Sequence, residues 1–237
     1  MRKIAIVPAY NEREAIAGVV AEIRAFEPEF DVLVVDDGSH DDTAAVAHAH
    51  GARVVRLPYN LGIGGAVQTG FRYAYEHGYA LAARVDGDGQ HDPAELADLI
   101  DAVLEDRADI CVGSRFAGAE GYRSSRPRRV GIRILARLVS LLTRQRVTDT
   151  TSGFQVLNRK AIALFAADYP HDYPEVEAAL MLHKHRLRLV EAPVRMRERS
   201  AGVSSITALR SIYYMIKVML AILVGAMRRR ATPLEDA

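Results

Sequence analysis

The chain is organised around one stretch, Val85-Asp86-Gly87-Asp88-Gly89-Gln90-His91-Asp92-Pro93. An apolar run over residues 80–85, interrupted only by Arg84, precedes it and predicts a buried strand. After it, Asp92 and Pro93 are typical of an N-cap and a first helical position, so a helix is expected to follow. The aspartates at 86 and 88 are therefore expected at the carboxyl end of a strand.

Oxygen-bearing side chains at this strand end suggest a metal site. The oxygens of Asp86, Asp88 and Gln90 suit a hard divalent cation, Mg²⁺ or Mn²⁺, that keeps water or phosphate as its other ligands. Gly87 and Gly89 remove side-chain bulk and allow a sharp turn. The alternative is a solvated Asp/Gly turn without a ligand, and the rest of the chain argues against it.

The remainder of the first half alternates strand and helix patterns. Strands are predicted over residues 3–7, 31–35, 52–57, 80–85 and 109–113, with amphipathic helices between them. This order predicts an α/β fold: a mostly parallel, Rossmann-like sheet with helices on both faces. Polar clusters follow three strands, at residues 8–12, 36–39 and 86–90, and indicate a nucleotide-sized crevice at one sheet edge.

Composition and charge indicate the number of domains and exclude some classes of protein. The 237 residues fit one domain, and the hydrophobic fraction of 49% supplies a sizeable core. A net charge of +1 argues against nucleic-acid binding, although arginines gather over residues 123–146 and 228–230. The single cysteine, Cys111, excludes an internal disulfide and is expected as a buried core thiol. The first residues do not read as a signal peptide, so a cytoplasmic location is expected.

The glycine cluster over residues 60–65 fits neither common phosphate-binding loop. A Walker loop requires Gly-Lys-Ser/Thr, and a dinucleotide fingerprint starting at Gly62 requires Gly or Ala where Val67 stands. A helix N-terminus packed closely against the sheet is the favoured interpretation. A dinucleotide-dependent oxidoreductase is accordingly disfavoured.

A basic amphipathic helix is predicted over residues 129–144. Its arginines recur on one side, and the apolar residues Val130, Ile134, Leu135, Leu138, Leu141 and Leu142 are expected on the opposite side. The helix either lies in an anionic membrane interface or is an ordinary surface helix with a solvated arginine face. Further on, short strands are expected over residues 187–190 and 194–196, on either side of Pro193.

The C-terminal residues 206–237 are predicted to form a separate helical segment. Residues 212–227 are apolar nearly all round and would extend about 24 Å as a helix, short of the roughly 30 Å hydrocarbon core. A bilayer-spanning helix is therefore disfavoured. An interfacial helix, a helix that binds a membrane-protein partner, and a homodimer helix remain open.

Six short motifs, in this order, carry a resemblance to a known family. They are Val7-Pro8-Ala9-Tyr10-Asn11-Glu12, Val35-Asp36-Asp37-Gly38-Ser39, Asn60-Leu61-Gly62, Asp86-Gly87-Asp88-Gly89-Gln90-His91, Gly113-Ser114-Arg115-Phe116 and Ser152-Gly153-Phe154. With them the chain resembles a family 2 glycosyltransferase of the GT-A fold, and most of all its polyprenyl-phosphate branch, the dolichyl-phosphate mannose synthases and their bacterial relatives. The match covers about residues 3–205, and residues 1–205 are taken as the GT-A domain.

The resemblance implies a role for each matching position. Nucleotide-sugar contacts are implied for Pro8, Ala9, Tyr10, Glu12, Asp36, Asp37, Asp86 and Arg115. Metal ligation is implied for Asp86, Asp88 and Gln90. Catalytic roles are implied for Asp88, Asp149, Arg115 and Arg199, and acceptor contacts for Arg126, Arg128, Arg129, Ser152, Glu175 and Ser204.

One position departs from the family pattern. Arg199 and Ser204 match the family's late Arg-x-x-Gly-x-Ser-Lys loop only loosely, and Ser205 stands where the synthases have lysine. That substitution puts the phosphate contact of the lysine in question. The candidates to replace it are the loop arginines Arg123, Arg126, Arg128 and Arg129.

The resemblance implies a metal-dependent, inverting transfer of a hexose. The donor would be a GDP-, UDP- or dTDP-sugar, and the acceptor a polyprenyl (dolichyl-type) phosphate at the cytoplasmic face of a membrane that the enzyme contacts peripherally. One alternative is a hydroxyl acceptor, such as a lipid-linked glycan, in cell-wall, capsular or exopolysaccharide synthesis. Another is a non-catalytic nucleotide-sugar-binding subunit that docks to a membrane protein through residues 206–230.

The two kinds of acceptor differ in whether they need a base. A lipid phosphate is already an anion at neutral pH and needs only positioning, which arginines supply. A sugar hydroxyl needs a carboxylate base, for which Asp172 and Glu175 are candidates. The alternative for both residues is the acidic first turn of a helix.

Overall fold

The computed structural model describes residues 1–118, 126–170 and 174–197, with the side chains of residues 126–131 left out. The predicted segment 206–237 and its apolar helix lie outside the described residues, as do Asp172, Arg199 and Ser204. Within the described ranges, no helix has the length and hydropathy needed to cross a bilayer.

Strands and helices alternate along the chain. The strands are β1 (Lys3–Ala9), β2 (Phe30–Asp36), β3 (Arg53–Arg56), β4 (Leu81–Arg84), β5 (Ile110–Ser114), β6 (Gln155–Asn158) and β7 (Leu189–Pro193). The helices are α1 (Ile16–Phe26), α2 (Thr43–Ala49), α3 (Gly62–Glu76), α4 (Leu96–Leu104), α5 (Arg126–Thr143), α6 (Arg159–Ala167) and α7 (Pro174–Lys184). A 3-10 turn precedes α4, and Asp92 caps it by accepting the N–H of Ala94, as predicted.

The strands form one seven-stranded sheet in the order β3-β2-β1-β4-β6-β5-β7. Only β6 runs antiparallel to its neighbours, β4 and β5. The remaining pairs are parallel, as predicted from the strand–helix alternation. The carboxyl ends of β1, β2, β4 and β5 therefore meet at one edge, where β6 begins.

Helices cover both faces of the sheet, because alternate strand residues point to opposite sides. In β1, Ala5 and Val7 pack in a core cluster with α1, α2 and α4. Their neighbours Ile4 and Ile6 pack in a second cluster with α3, α6 and α7. The sheet is thus buried on both sides, and its carboxyl edge remains as the place for a ligand.

Helix α5 packs on α7 through a third, smaller cluster that includes Leu135 and Val139. Two residues expected on the buried side were predicted wrongly: Ile134 is 50% exposed and Leu141 is 76% exposed. They lie on the solvent side together with Arg133 and Arg137. The neighbour α7 covers only part of the apolar stripe, so the exposed face of α5 combines cationic and large apolar side chains.

Two further sequence predictions have clear outcomes. The strand near Pro193 is continuous: β7 includes Pro193, which pairs with Ser114 of β5. The first strand predicted there, over residues 187–190, therefore overlaps β7, which continues to Pro193 because proline is tolerated on an edge strand. The second, over residues 194–196, was predicted wrongly: Met196 forms only an isolated bridge with His91. Cys111 is buried in the core as predicted, and burial raises the pKa of its thiol to about 12.

Candidate active site

The predicted site residues meet at the carboxyl edge of the sheet because the loops there are joined to one another. The N–H of Asp37, after β2, donates to the carbonyl of Ala9 at 2.9 Å, and the N–H of Gly87, after β4, donates to the carbonyl of Pro8 at 3.2 Å. A Cβ on Gly87 would lie 3.0 Å from the same Pro8 carbonyl oxygen. The absence of a side chain at 87 thus lets the aspartate loop pack directly on the end of β1.

A pocket of about 390 Å³ opens at this edge. It is lined by Pro8, Ala9, Tyr10, Glu12, Asp37, Asn60, Gly62, Ile63, Ala66, Asp86, Gly87 and Asp88. Its size lies within the range of small-molecule sites. Most residues predicted to bind the nucleotide sugar therefore share one cavity with both predicted metal carboxylates.

The two carboxylates after β2 have different surroundings. Asp37 lines the pocket and accepts the N–H groups of Leu61 at 2.7 Å and Gly62 at 2.9 Å, at the start of α3. Burial nevertheless raises the pKa of Asp37. Asp36 is fully buried behind it, 3.2 Å from the Nε of Arg56, and accepts the N–H of Ser39. Asp36 therefore supports the loop, while Asp37 faces the cavity.

The loop that carries Asp86 and Asp88 is closed by its own side chains. The Asp88 carboxylate accepts the N–H of Gln90 at 3.0 Å, and Nδ1 of His91 accepts the N–H of Asp86 at 3.0 Å. The buried His91 ring packs against Phe154, with centroids 4.7 Å apart. Burial lowers the pKa of His91, which keeps the ring neutral, with its proton on Nε2. The loop geometry thus depends on an imidazole outside the pocket lining.

Arg84, the last residue of β4, is 2% exposed and lies beside the predicted metal ligands. Its Nε is 3.3 Å from Oδ1 of Asp86, and its Nη2 is 3.0 Å from Oε1 of Glu175 in the first turn of α7. Its Nη1 donates to the Tyr169 hydroxyl at 3.3 Å. Burial favours the neutral form of Asp86, but the surrounding groups, Arg84 foremost, together outweigh this and hold the pKa of Asp86 below its ordinary value.

Arg115 and Asp149 form a second buried pair at the same edge. The Arg115 guanidinium donates through Nε to Oδ2 at 2.7 Å and through Nη2 to Oδ1 at 2.8 Å, a bidentate arrangement. The Asp149 side chain is fully buried, and that of Arg115 is 9% exposed. Burial alone would raise the pKa of Asp149. The hydrogen bonds and charge of Arg115 have the larger combined effect and lower this pKa, so the carboxyl stays ionised.

The loop before β6 is held in place from β7. Glu191 accepts the N–H groups of Thr148 at 2.8 Å and Asp149 at 2.9 Å. Burial raises the pKa of Glu191 despite these bonds. Ser152, predicted to contact the acceptor, is buried, and its hydroxyl accepts the N–H of Phe154 at 3.3 Å. Glu191 and Ser152 therefore shape this loop.

The donor atoms at the pocket suit a divalent cation that also binds a ligand. Asp86 and Asp88 line the same wall with only Gly87 between them. Across residues 1–118, 126–170 and 174–197, no group of three or more His, Cys, Asp or Glu side chains could enclose an ion. Two carboxylates completed by water and phosphate oxygens are how Mg²⁺ is commonly held, so the residues fit such a site.

The remaining described residues with a predicted role in binding take other positions. Gln90 is outside the lining, and its carbonyl accepts the N–H of Arg197 at 2.9 Å. Arg126, Arg128 and Arg129 belong to the first turn of α5, and Glu175 is paired with Arg84. Their predicted roles in metal and acceptor binding stay predictions.

Four residues at the site were not assigned a role from the sequence. Arg84 was treated only as an interruption of an apolar strand, although a charge in a buried strand signals an ion pair. Gly153 is needed because a Cβ there would lie 2.6 Å from Nη2 of Arg84. The role of Glu191 could not be predicted from the neighbouring sequence, since the N–H groups that it accepts belong to residues 42 and 43 positions away. Ile63 lines the pocket because the Asp37 carboxylate binds the N–H groups at the start of α3, where Ile63 lies.

Comparisons with known proteins find relatives along most of the chain. The chain is 31% identical over 227 residues to the polyprenol monophosphomannose synthase of Mycolicibacterium smegmatis, covering 92% of this chain and 85% of the relative. It is also 31% identical over 216 residues to the undecaprenyl-phosphate mannosyltransferase of Micrococcus luteus, covering 87% and 88%.

Solved structures with the same architecture include one obtained with a metal ion and a nucleotide. Glucosyl-3-phosphoglycerate synthase from Mycobacterium tuberculosis, solved with Mn²⁺, UDP and glucosyl-3-phosphoglycerate, superposes with a TM-score of 0.71 at 20% identity, covering 94% of this chain and 79% of that one. This likeness shows the GT-A glycosyltransferase fold predicted from the sequence. The model of glycosyl transferase family 2 matches residues 4–165, and the chain belongs to that family.

Proposed function

We propose that this enzyme transfers a hexose, with inversion, from a nucleoside-diphosphate sugar to a polyprenyl phosphate at the cytoplasmic face of a membrane. The observation that carries the proposal is the pocket in which Asp37, Glu12 and Tyr10 share one cavity with Asp86 and Asp88. Polar groups at and after the ends of β1 and β2 line the same cavity as the aspartate pair, which suits a base and ribose joined to a diphosphate.

A divalent cation between the aspartates and the diphosphate would stabilise the negative charge that develops on the leaving group. The chain's own contribution is orientation. Asp88 is held by the N–H of Gln90, and Asp86 by Arg84. Either Mg²⁺ or Mn²⁺ satisfies this donor set, and Mn²⁺ accompanies UDP in the neighbouring structure described above.

The choice of a lipid phosphate as acceptor is supported by the surroundings of the one described candidate base. Glu175 is 17% exposed and bound to the buried Arg84, so it is poorly placed to accept a proton. A phosphate acceptor needs no base. Two relatives are named for transfer to polyprenol and undecaprenyl phosphates.

Transfer of labelled sugar to short-chain polyprenyl phosphate tests the proposal. Nucleotide sugars are first screened, with and without Mn²⁺, for the one that best protects the protein against thermal unfolding. We expect that donor to label the lipid phosphate. Glu175→Gln should keep the rate within about tenfold, because losing a general base normally costs about 10²–10⁴-fold. Transfer only to a lipid-linked sugar, abolished by Glu175→Gln, would contradict the phosphate acceptor and support a hydroxyl acceptor.

Peripheral membrane contact is proposed to involve the exposed face of α5. Arg133 and Arg137 lie there with Ile134 and Leu141, and Arg144 follows directly after the helix. Large apolar side chains flanked by arginines are typical of a surface that rests on anionic headgroups. A face made only of solvated arginines would carry no such apolar residues.

Charge reversal on α5 tests the membrane contact. We expect Arg133→Glu with Arg137→Glu to weaken binding to anionic vesicles by about 30-fold or more, since each basic residue contributes roughly 1 kcal/mol. Co-sedimentation at moderate salt measures this. Arg72→Glu with Lys160→Glu makes the same change in net charge on α3 and α6. Equal weakening in both double variants, or none in either, would contradict a specific role for α5.

A further inference from the structure

Arg84 combines nearly complete burial with contacts to two separate elements. Its guanidinium reaches Asp86 after β4 at 3.3 Å and Glu175 on α7 at 3.0 Å, and it is 2% exposed. Gly153 leaves the space it occupies, because a Cβ there would lie 2.6 Å from Nη2 of Arg84 and 2.8 Å from Oδ2 of Asp86. Arg84 therefore has one well-defined place, directly behind a predicted metal ligand.

The two oxygens of the Asp86 carboxylate have positively charged or N–H groups as neighbours. Arg84 contacts Oδ1 of Asp86, and Nε2 of His91 lies 3.8 Å from Oδ2. Each oxygen of Asp86 thus has a cationic or N–H group near it. Glu175 forms an ion pair with the same Arg84 guanidinium through Nη2. Asp86 consequently presents less negative charge to the pocket than an aspartate without such neighbours.

We infer that Arg84 sets the charge of the donor site: it offsets part of the negative charge of Asp86, is itself offset by Glu175 on α7, and leaves Asp88 as the principal protein ligand for the cation. Arg84 acts through Asp86 and touches no reacting atom. Glu175 then competes with Asp86 for the Arg84 guanidinium, so Arg84 offsets less of the Asp86 charge. The inference rests on the proposed function, since it assumes that the aspartate pair binds a cation.

Binding of Mn²⁺ alone, followed by the electron paramagnetic resonance signal of the free ion, tests this arrangement without a sugar donor. Glu175→Gln leaves the Arg84 charge to Asp86 alone, so we expect the Mn²⁺ dissociation constant to rise about tenfold. Adding Arg84→Gln to Glu175→Gln removes that charge, and the dissociation constant should fall by about tenfold, close to the wild-type value. These sizes follow from a unit charge a few ångströms from a ligand in a partly solvated site.

The decisive comparison is between Glu175→Gln and the double variant. These two proteins differ only at position 84, so the change in Mn²⁺ affinity between them reports the effect of the Arg84 charge. The single variant Arg84→Gln would take the cation away from two half-buried carboxylates and is not needed. Arg188→Gln is the matched control: it removes an arginine paired with the buried Asp109, before β5 at the opposite edge of the sheet. It should leave Mn²⁺ binding unchanged.

The outcomes separate this inference from the proposed function. Mn²⁺ affinities within twofold for the wild type, Glu175→Gln and the double variant would overturn the role of Arg84 while leaving the cation site standing. No measurable Mn²⁺ binding by the wild type would overturn the cation site and this inference together. Weaker binding in Glu175→Gln that is restored in the double variant would support the inference.

Discussion

We expect Asp88→Asn to lower the rate of sugar transfer by about 10²–10³-fold in the presence of Mg²⁺ or Mn²⁺. The substitution keeps the shape of the side chain but removes the charge that faces the cation. Asp88 lines the pocket and is held by the N–H of Gln90, so no large rearrangement should follow. Steady-state rates with saturating donor and a titration of the metal measure the effect.

Asp98→Asn is the matched control for this variant. Asp98 is exposed on α4, ten residues along the chain and outside the pocket, and its neutralisation should leave the rate unchanged. Circular dichroism of both variants establishes that the fold survives. A transfer rate for Asp88→Asn within a few-fold of the wild type would remove Asp88 from the metal site.

The largest loss of stability is expected for Asp149→Asn. Asp149 is fully buried and accepts both arms of the Arg115 guanidinium, and neutralising it removes the negative charge that compensates this largely buried cation. Breaking a buried ion pair on one side costs about 3–5 kcal/mol of unfolding free energy. For a chain of this size, the melting temperature should fall by roughly 10 °C. Thermal unfolding followed by circular dichroism measures it.

Two comparisons test the cause of this loss. Asp168→Asn, at an exposed position after α6, should change the stability by less than about 0.5 kcal/mol. Arg115→Gln combined with Asp149→Asn should cost less than the sum of the single variants, because each single variant already removes the same ion pair. Strict additivity would contradict the pairing.

The pH dependence of this stabilisation has a definite sign. The pKa of Asp149 in the folded protein lies below its ordinary value of 3.8, because Arg115 favours the ionised form. The stabilisation is therefore complete above the unfolded-state pKa and is lost as the pH falls through the lower, folded-state pKa. The difference between wild type and Asp149→Asn should be constant near neutral pH and shrink in acid, below about pH 4.

Local patterns in the sequence determined the first half of the fold. Apolar runs bounded by Pro8, Asp36 and Asp86 predicted strands where β1, β2 and β4 lie, and the helices between them required parallel crossovers. Once three strands are parallel, their carboxyl ends share an edge. The pocket at that edge, with Asp37 and Asp88 in its lining, therefore follows from local periodicity and chain direction.

Only the tertiary structure decided which charges neutralise one another. Arg84 and Glu175 are 91 residues apart, and Arg115 and Asp149 are 34 apart, so no periodic pattern joins either pair. The exposure of Ile134 and Leu141 likewise depends on how much of α5 the neighbouring α7 covers. Helix and strand periods arise from interactions between near neighbours in the chain, whereas a buried charge is neutralised by whichever partner the packed fold brings within a few ångströms.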